Sequence, residues 1–152
     1  FEKEKSETEK SEIVSFYLKH KKFINNWDLV DNSAYKILGR HAYETKNDNL
    51  LRTLSREENM WSKRMAIVAT MFHVKRGEFS LLKELALYNL QYPHDLMHKA
   101  NGWLLREMGN KNVAELHGFL ETNYRNTPRT TLRYAIEKFD EDLRQDFLKG
   151  RI

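Results

Sequence analysis

The sequence predicts an all-α protein built as an α-solenoid, a superhelix of antiparallel helix pairs. Three observations predict it. Apolar residues recur at helical spacing along most of the chain, and no segment shows strand alternation bounded by turn residues. Two prolines and six glycines in 152 residues leave long helices uninterrupted. Four alanines, Ala34, Ala66, Ala100 and Ala135, return at intervals of 32, 34 and 35 residues, the period of a two-helix repeat.

The elements follow in order. "FEKEKSETEK" is a mixed charge run, a solvated helix start or a frayed end. "IVSFYLKHKKFI" (13–24) and "WDLVDNSAYKILGRHAY" (27–43) read as amphipathic helices, and "NLLRTLS" (49–55) as a short one. "NMWSKRMAIVATMFHVKRG" (59–77) closes on a basic turn and a glycine, a sound helix stop. "EFSLLKELALYNLQ" (78–91) follows. "PHDLMHKANGWLLREMG" (93–109) is opened by Pro93 and closed by a second glycine. "NVAELHGFLETNY" (112–124), "PRTTLRYAIEKF" (128–139), with proline in its first turn, and "EDLRQDFLKG" (141–150) complete the set. Each period pairs a shorter helix with a longer one carrying the alanine. A plain helical bundle with alanines aligned by chance satisfies the same periodicity.

Length allows one domain, residues 1–152, with a real core. Cysteine is absent, which excludes a disulfide framework and a thiolate metal site. No apolar run approaches a membrane span, so a soluble protein is expected. The chain starts at Phe1 without a signal-peptide pattern, as a trimmed piece of something longer would. The net charge of +4 suits an acidic partner. Residues 60–92 concentrate it, with Lys63, Arg64, Lys75, Arg76 and Lys83 against Glu78 and Glu84.

The alanine alignment exposes a second column two residues earlier: Asn32, Arg64, His98 and Arg133. In a solenoid such positions line one concave wall, and cationic rungs there can track a phosphate backbone. Taken one rung at a time, each reads better as a solvated helix face; the column as a whole, which carries no acid after Asp31, does not.

In "NNWDLVD" (25–31), Trp27 and Asp31 stand four residues apart and share a helix face with Tyr35. Asp31 is the one carboxylate in an unusual setting, within possible reach of Trp103 from a later repeat; the plain alternative is a surface Asp paired with a lysine. The tryptophans are core residues by default, and Trp61 suits that role. Trp103 suits it less, because it follows Asn101 and Gly102, where a small residue invites a close approach. His94 and His98 have metal-ligand spacing, but with no third ligand evident no metal site is expected. No phosphate-cradling loop, nucleophile elbow or kinase motif is present.

Together "NNWDLVD", "WSKRMAIVATMF", "HDLMHKANGWLLREMG" and "PRTTLRYAIEKF" resemble the DNA alkylation repair family, the HEAT-like-repeat alkylpurine DNA glycosylases of the AlkD type. The likeness runs in register from about residue 13 to residue 148. It implies a basic, concave solenoid that hydrolyses the glycosidic bond of cationic alkylated purines, of the 3-methyladenine and 7-methylguanine type, in duplex DNA. By position it implies Asp31 as the catalytic carboxylate, Trp27 and Trp103 against the lesion sugar, and Arg64 on the backbone. Lys63, His98, Lys99 and Arg133 are the further DNA contacts expected.

The chemistry accords with a single carboxylate. A purine already carrying positive charge departs as a neutral base, so no general acid is needed; one carboxylate facing the sugar stabilises its developing cation and orients water. Indole faces add attraction akin to cation–π contacts. The resemblance further implies no cofactor or metal, action as a monomer and a cytoplasmic, nucleoid-associated location. It also implies helices ahead of the first phrase, where this sequence has Phe1 to Glu12. A non-catalytic solenoid that binds DNA or protein through the same groove remains the alternative, and a metal-dependent hydrolase using His94 and His98 ranks after it.

Overall fold

The computed structural model describes residues 6–152, and among them every regular element is helical. The α-helices are α1 (Glu7–Lys19), α2 (Trp27–Ala34), α3 (Arg40–Glu44), α4 (Asp48–Arg56), α5 (Met60–Ala69) and α6 (Met71–Val74). They continue as α7 (Ser80–Tyr88), α8 (Asp95–Lys111), α9 (Val113–Asn123), α10 (Arg129–Ala135) and α11 (Glu141–Lys149). No helix among the described residues is long and apolar enough to cross a membrane.

The alanine period marks the packing. Helices α2, α5, α8 and α10 pack in series, each against the next, while α4, α7 and α9 lie over them. Each helix of the series carries one of the four alanines, and all four are buried. A methyl group is small enough to let successive backbones approach, so repeated alanines set a repeated contact. Polar contacts keep the same interval. Arg52 meets Glu84, Lys83 meets Glu115, Arg64 meets Asp31 and Arg106 meets Glu137, at separations of 32, 32, 33 and 31 residues. Each repeat therefore holds its neighbour, as in an α-solenoid of helix pairs.

Helix α5 is the most enclosed element, buried continuously from Ser62 to Ala69. Its start is fixed by Asn59, whose Oδ1 accepts from the Trp61 and Ser62 amides. Trp61 is half-buried and packs on the core, as the sequence suggests.

Several boundaries differ from the sequence reading. Residues 13–24 are not one helix: α1 begins at Glu7, capped by Ser6, and breaks after Lys19 into a 3₁₀ turn at Lys21–Phe23. Of the N-terminal charge run, Glu7 and Glu9 favour the first turn through the helix dipole, and residues 1–5 lie outside the described residues. The helix read over 27–43 extends to Glu44 through a π-helical turn at Tyr35–Gly39. At Gly39 a Cβ would lie 2.2 Å from the Ala69 carbonyl oxygen, so the glycine admits the neighbouring backbone. The segment 59–77 is interrupted at Thr70, whose hydroxyl donates back to the Ile67 carbonyl. Gly77 ends the segment with φ +78°.

Gly109 does not stop α8, which runs on to Lys111. A Cβ there would meet the Leu116 side chain at 2.4 Å, so the glycine serves packing against α9. Nor is the second helix of each pair always longer: α9 spans 11 residues and α10 only 7.

Candidate functional site

Helix α2 starts where Asn26 caps it, its Oδ1 accepting from the Leu29 amide at 2.9 Å. That cap places Trp27 in the first turn and Asp31 one turn further along the same face. Trp27 is 53% exposed, unusual for an indole. Asp31 is held from the next repeat, where Arg64 of α5 donates from Nε to Oδ1 at 3.1 Å and from Nη2 to Oδ2 at 2.9 Å. The side chains are 19% exposed for Asp31 and 7% for Arg64. The paired fork is bidentate, the geometry that best fixes a carboxylate's orientation. Arg64 Nη1 also donates to the Leu96 carbonyl at the start of α8, tying three successive inner helices together.

Asp31, Arg64 and Trp27 line an open cavity of about 460 Å³ together with Leu96, Lys99 and Trp103 of α8. Arg106 of α8 and Tyr134 of α10 complete its wall. Trp103, half-buried, packs its ring on the core while facing this space. What approaches Gly102 closely is α10: a Cβ there would lie 2.5 Å from Tyr134 Cβ and 2.7 Å from the Thr131 carbonyl oxygen. The cations at the rim are held by acids outside the cavity lining, Lys99 by Asp95 at 2.9 Å and Arg106 by Glu137. The Lys99 bond holds the Asp95 carboxyl below its usual range, and Asp95 raises the Lys99 ammonium in turn.

Residues 27, 31, 64, 99 and 103 thus converge on one cavity. Other sequence expectations do not. Lys63 is turned away from it: its ammonium is buried, donating to the Ser55 carbonyl at 3.0 Å and Asn89 Oδ1 at 3.1 Å, with Tyr88 and Tyr92 rings over it. Burial pushes that ammonium below the ordinary lysine range. Lys63 caps the last turn of α4 through the Ser55 carbonyl. His98 is not in the lining of this cavity, and its Nε2 is bonded to the Tyr92 carbonyl at 2.7 Å.

His94 caps α8, its Nδ1 accepting from the Leu96 amide at 3.1 Å, so both histidine rings are committed to backbone. Among the described residues no group of three or more His, Asp or Glu side chains is placed to hold a metal ion. Arg133 is exposed beside the site but not in its lining. Asn32 is exposed and donates to Asp28. The column is therefore a set of four different environments rather than a uniform ladder. Tyr35, on the Asp31 face in sequence, instead lies beneath Lys75 and Lys36.

Sequence reasoning missed Arg106, Tyr134 and the Leu96 carbonyl. Arg106 was accessible in principle, being one turn after Trp103 on the same face. Tyr134 is signalled only by Gly102, and the pairing of a backbone carbonyl leaves no mark in sequence.

With this geometry in place, comparison with known proteins is informative. The family model described as DNA alkylation repair enzyme matches residues 2–139. A solved structure described as a predicted DNA alkylation repair enzyme from Enterococcus faecalis superposes with a TM-score of 0.70 at 21% identity, over 86% of this chain. This chain spans 61% of that protein's length. No curated protein matches the sequence.

Proposed function

Because the chain belongs to the family of DNA alkylation repair enzymes, we propose that the Asp31 cavity is a DNA glycosylase site for cationic alkylated purines in duplex DNA. The observation that carries the proposal is the Asp31–Arg64 pair opening on a cavity walled by Trp27 and Trp103. A carboxylate fixed by a bidentate guanidinium is preorganised, so little rearrangement opposes its use as a charge stabiliser.

In the proposed reaction the C1′–N bond breaks with its electron pair leaving on the purine, whose positive charge is thereby cancelled. The deoxyribose becomes an oxocarbenium-like cation facing Asp31. Water oriented by the carboxylate adds its oxygen to C1′ and loses a proton to solvent, which completes hydrolysis. The Trp27 and Trp103 rings supply electron-rich faces to the sugar. No protonation of the departing base is required, in keeping with one carboxylate in the lining.

Arg64 has a different role from the phosphate anchor that the resemblance implies. Three of its five N–H groups are spent on Asp31 and Leu96. It is foremost an orienting residue for the acid, with two N–H groups left for a phosphate. Lys99 and Arg106 are better exposed for backbone contact, their present partners being surface carboxylates that a phosphate can replace. A monomer suffices, since all these groups come from one chain.

The test is release of methylated purine from alkylated duplex DNA. Asp31→Asn should slow release by roughly a hundredfold or more. Equal release by variant and wild type removes Asp31 from the mechanism. DNA binding without release by the wild type identifies a non-catalytic binder.

A further inference from the structure

The seven tyrosines of the chain divide by what their hydroxyls and rings do. Tyr17 shares a hydrogen bond with Ser33, Tyr43 donates to Glu78, Tyr92 to the Glu58 carbonyl and Tyr124 to the Phe147 carbonyl. Tyr35 lies beneath Lys36 and Lys75, and Tyr88 beneath Arg56 and Lys63. The remaining tyrosine is Tyr134. Among the described residues its hydroxyl has no hydrogen-bond partner and its ring no cation over it, although it is 37% exposed and lines the Asp31 cavity.

Its backbone, by contrast, is firmly seated. The missing side chain at Gly102 lets α10 press against α8 at Tyr134 Cβ. Three residues earlier the Thr131 hydroxyl donates to the His98 carbonyl at 3.0 Å. A side chain fixed at its root and uncommitted at its tip is built to meet something from outside. The neighbouring groups say what. Lys99 and Arg106 share the lining, while its one carboxylate, Asp31, is engaged by Arg64. A wall that offers donors and cations suits an anion.

We infer that Tyr134 is a DNA-contacting residue of this site, its hydroxyl donating to a phosphodiester oxygen of the bound strand while its ring extends the aromatic wall. The inference takes the identity of the ligand from the glycosylase reading. It adds a neutral, directional contact among the cationic ones, which fixes strand register without strengthening attachment to DNA through charge.

The experiment measures Kd for a fluorescently labelled duplex by anisotropy, over a salt series, for wild type, Tyr134→Phe and Tyr88→Phe. Tyr134→Phe keeps the ring and should bind about tenfold more weakly. Its slope of log Kd against log salt should equal that of the wild type, because a neutral hydroxyl releases no counterion. Tyr88→Phe, changed within a different cavity, should bind as the wild type does. A melting temperature within about 2 °C of wild type shows that Tyr134→Phe is folded.

Equal Kd values for Tyr134→Phe and a wild type that binds DNA overturn the inference and leave the glycosylase reading standing. A wild type that binds DNA but releases no base overturns that reading, while the Tyr134 contact is still decided by the Kd ratio. A wild type that does not bind duplex DNA overturns both.

Discussion

Lys63 and Arg64 are successive residues of α5, both cationic and both buried, yet they belong to different parts of the molecule. About 100° of helix rotation separates them. Lys63 points to the edge where α4 and α7 end, and its partners there are the Ser55 carbonyl and the Asn89 amide oxygen. Arg64 points to the cavity and holds Asp31. A buried cation whose partners are neutral groups of the fold acts as a strut. One paired with a carboxylate that still faces an open, aromatic-walled space would, in the proposed reaction, hold that carboxylate ready as a charge stabiliser. The contrast separates scaffold from site along one helix.

Arg64→Met attacks the site side of the contrast and should have the largest effect on stability. Removing one partner of a mostly buried ion pair strands the other, at a cost of about 3 kcal/mol, discounted for the partial exposure of Asp31. Thermal denaturation should show a melting temperature roughly 9 °C lower, and base release should fall with it. Unchanged values of both break the claim that Arg64 holds the acid.

Gly102→Ala comes next. Its methyl would press on Tyr134 Cβ and the Thr131 carbonyl, backbone that cannot yield cheaply. A loss of about 2 kcal/mol in urea unfolding is expected. Base release should also fall, because α10 carries Tyr134 away from Trp103. A variant as stable and active as wild type rules out the close approach as a feature of the site.

Lys63→Met sharpens the comparison from the scaffold side. It removes one of the two donors to the Ser55 carbonyl, which Asn89 Nδ2 still reaches at 3.0 Å, and leaves Asn89 Oδ1 without its donor. The cost should be about 1–2 kcal/mol, while DNA affinity and base release stay as in the wild type. Weakened DNA binding by this variant would restore Lys63 to the DNA contacts. The pH dependence has a definite sign. Burial lowers the folded-state value of Lys63 below the ordinary 10.5, so between the two the unfolded chain holds the extra proton. Wild-type stability should therefore rise relative to the Met variant as pH climbs through that interval in denaturant titrations.

The smallest effect belongs to neither side. Arg52→Gln removes a bidentate pair with Glu84 that is partly exposed to solvent. Less than about 1 kcal/mol is expected, shrinking further in high salt. A larger, salt-insensitive loss would mean that the links between repeats matter as much as their buried alanines.

How much of this was legible beforehand depended on distance along the chain. Trp27 and Asp31 share one helix turn, so their common face follows from 3.6-residue periodicity alone. The resemblance supplied Trp103 and Arg64 by position, and both do reach the cavity. That Lys63 would turn inward to Ser55 and Asn89 was not legible, because composition says that a cation is present but not where it points. The His98 environment was hidden for a related reason: only coordinates place the Tyr92 carbonyl beside its ring nitrogen.

By itself the sequence determined the helical class, the repeat interval and the pairing of indole with acid on α2. All three are local or periodic properties, and periodicity survives any tertiary arrangement of the helices. Only the tertiary structure decided that Arg64 would reach back 33 residues to grip Asp31, that Gly102 would admit α10, and that Tyr134 would line the same cavity. Those outcomes depend on how far one repeat is rotated and pressed onto the next, a geometry set jointly by side chains from several helices.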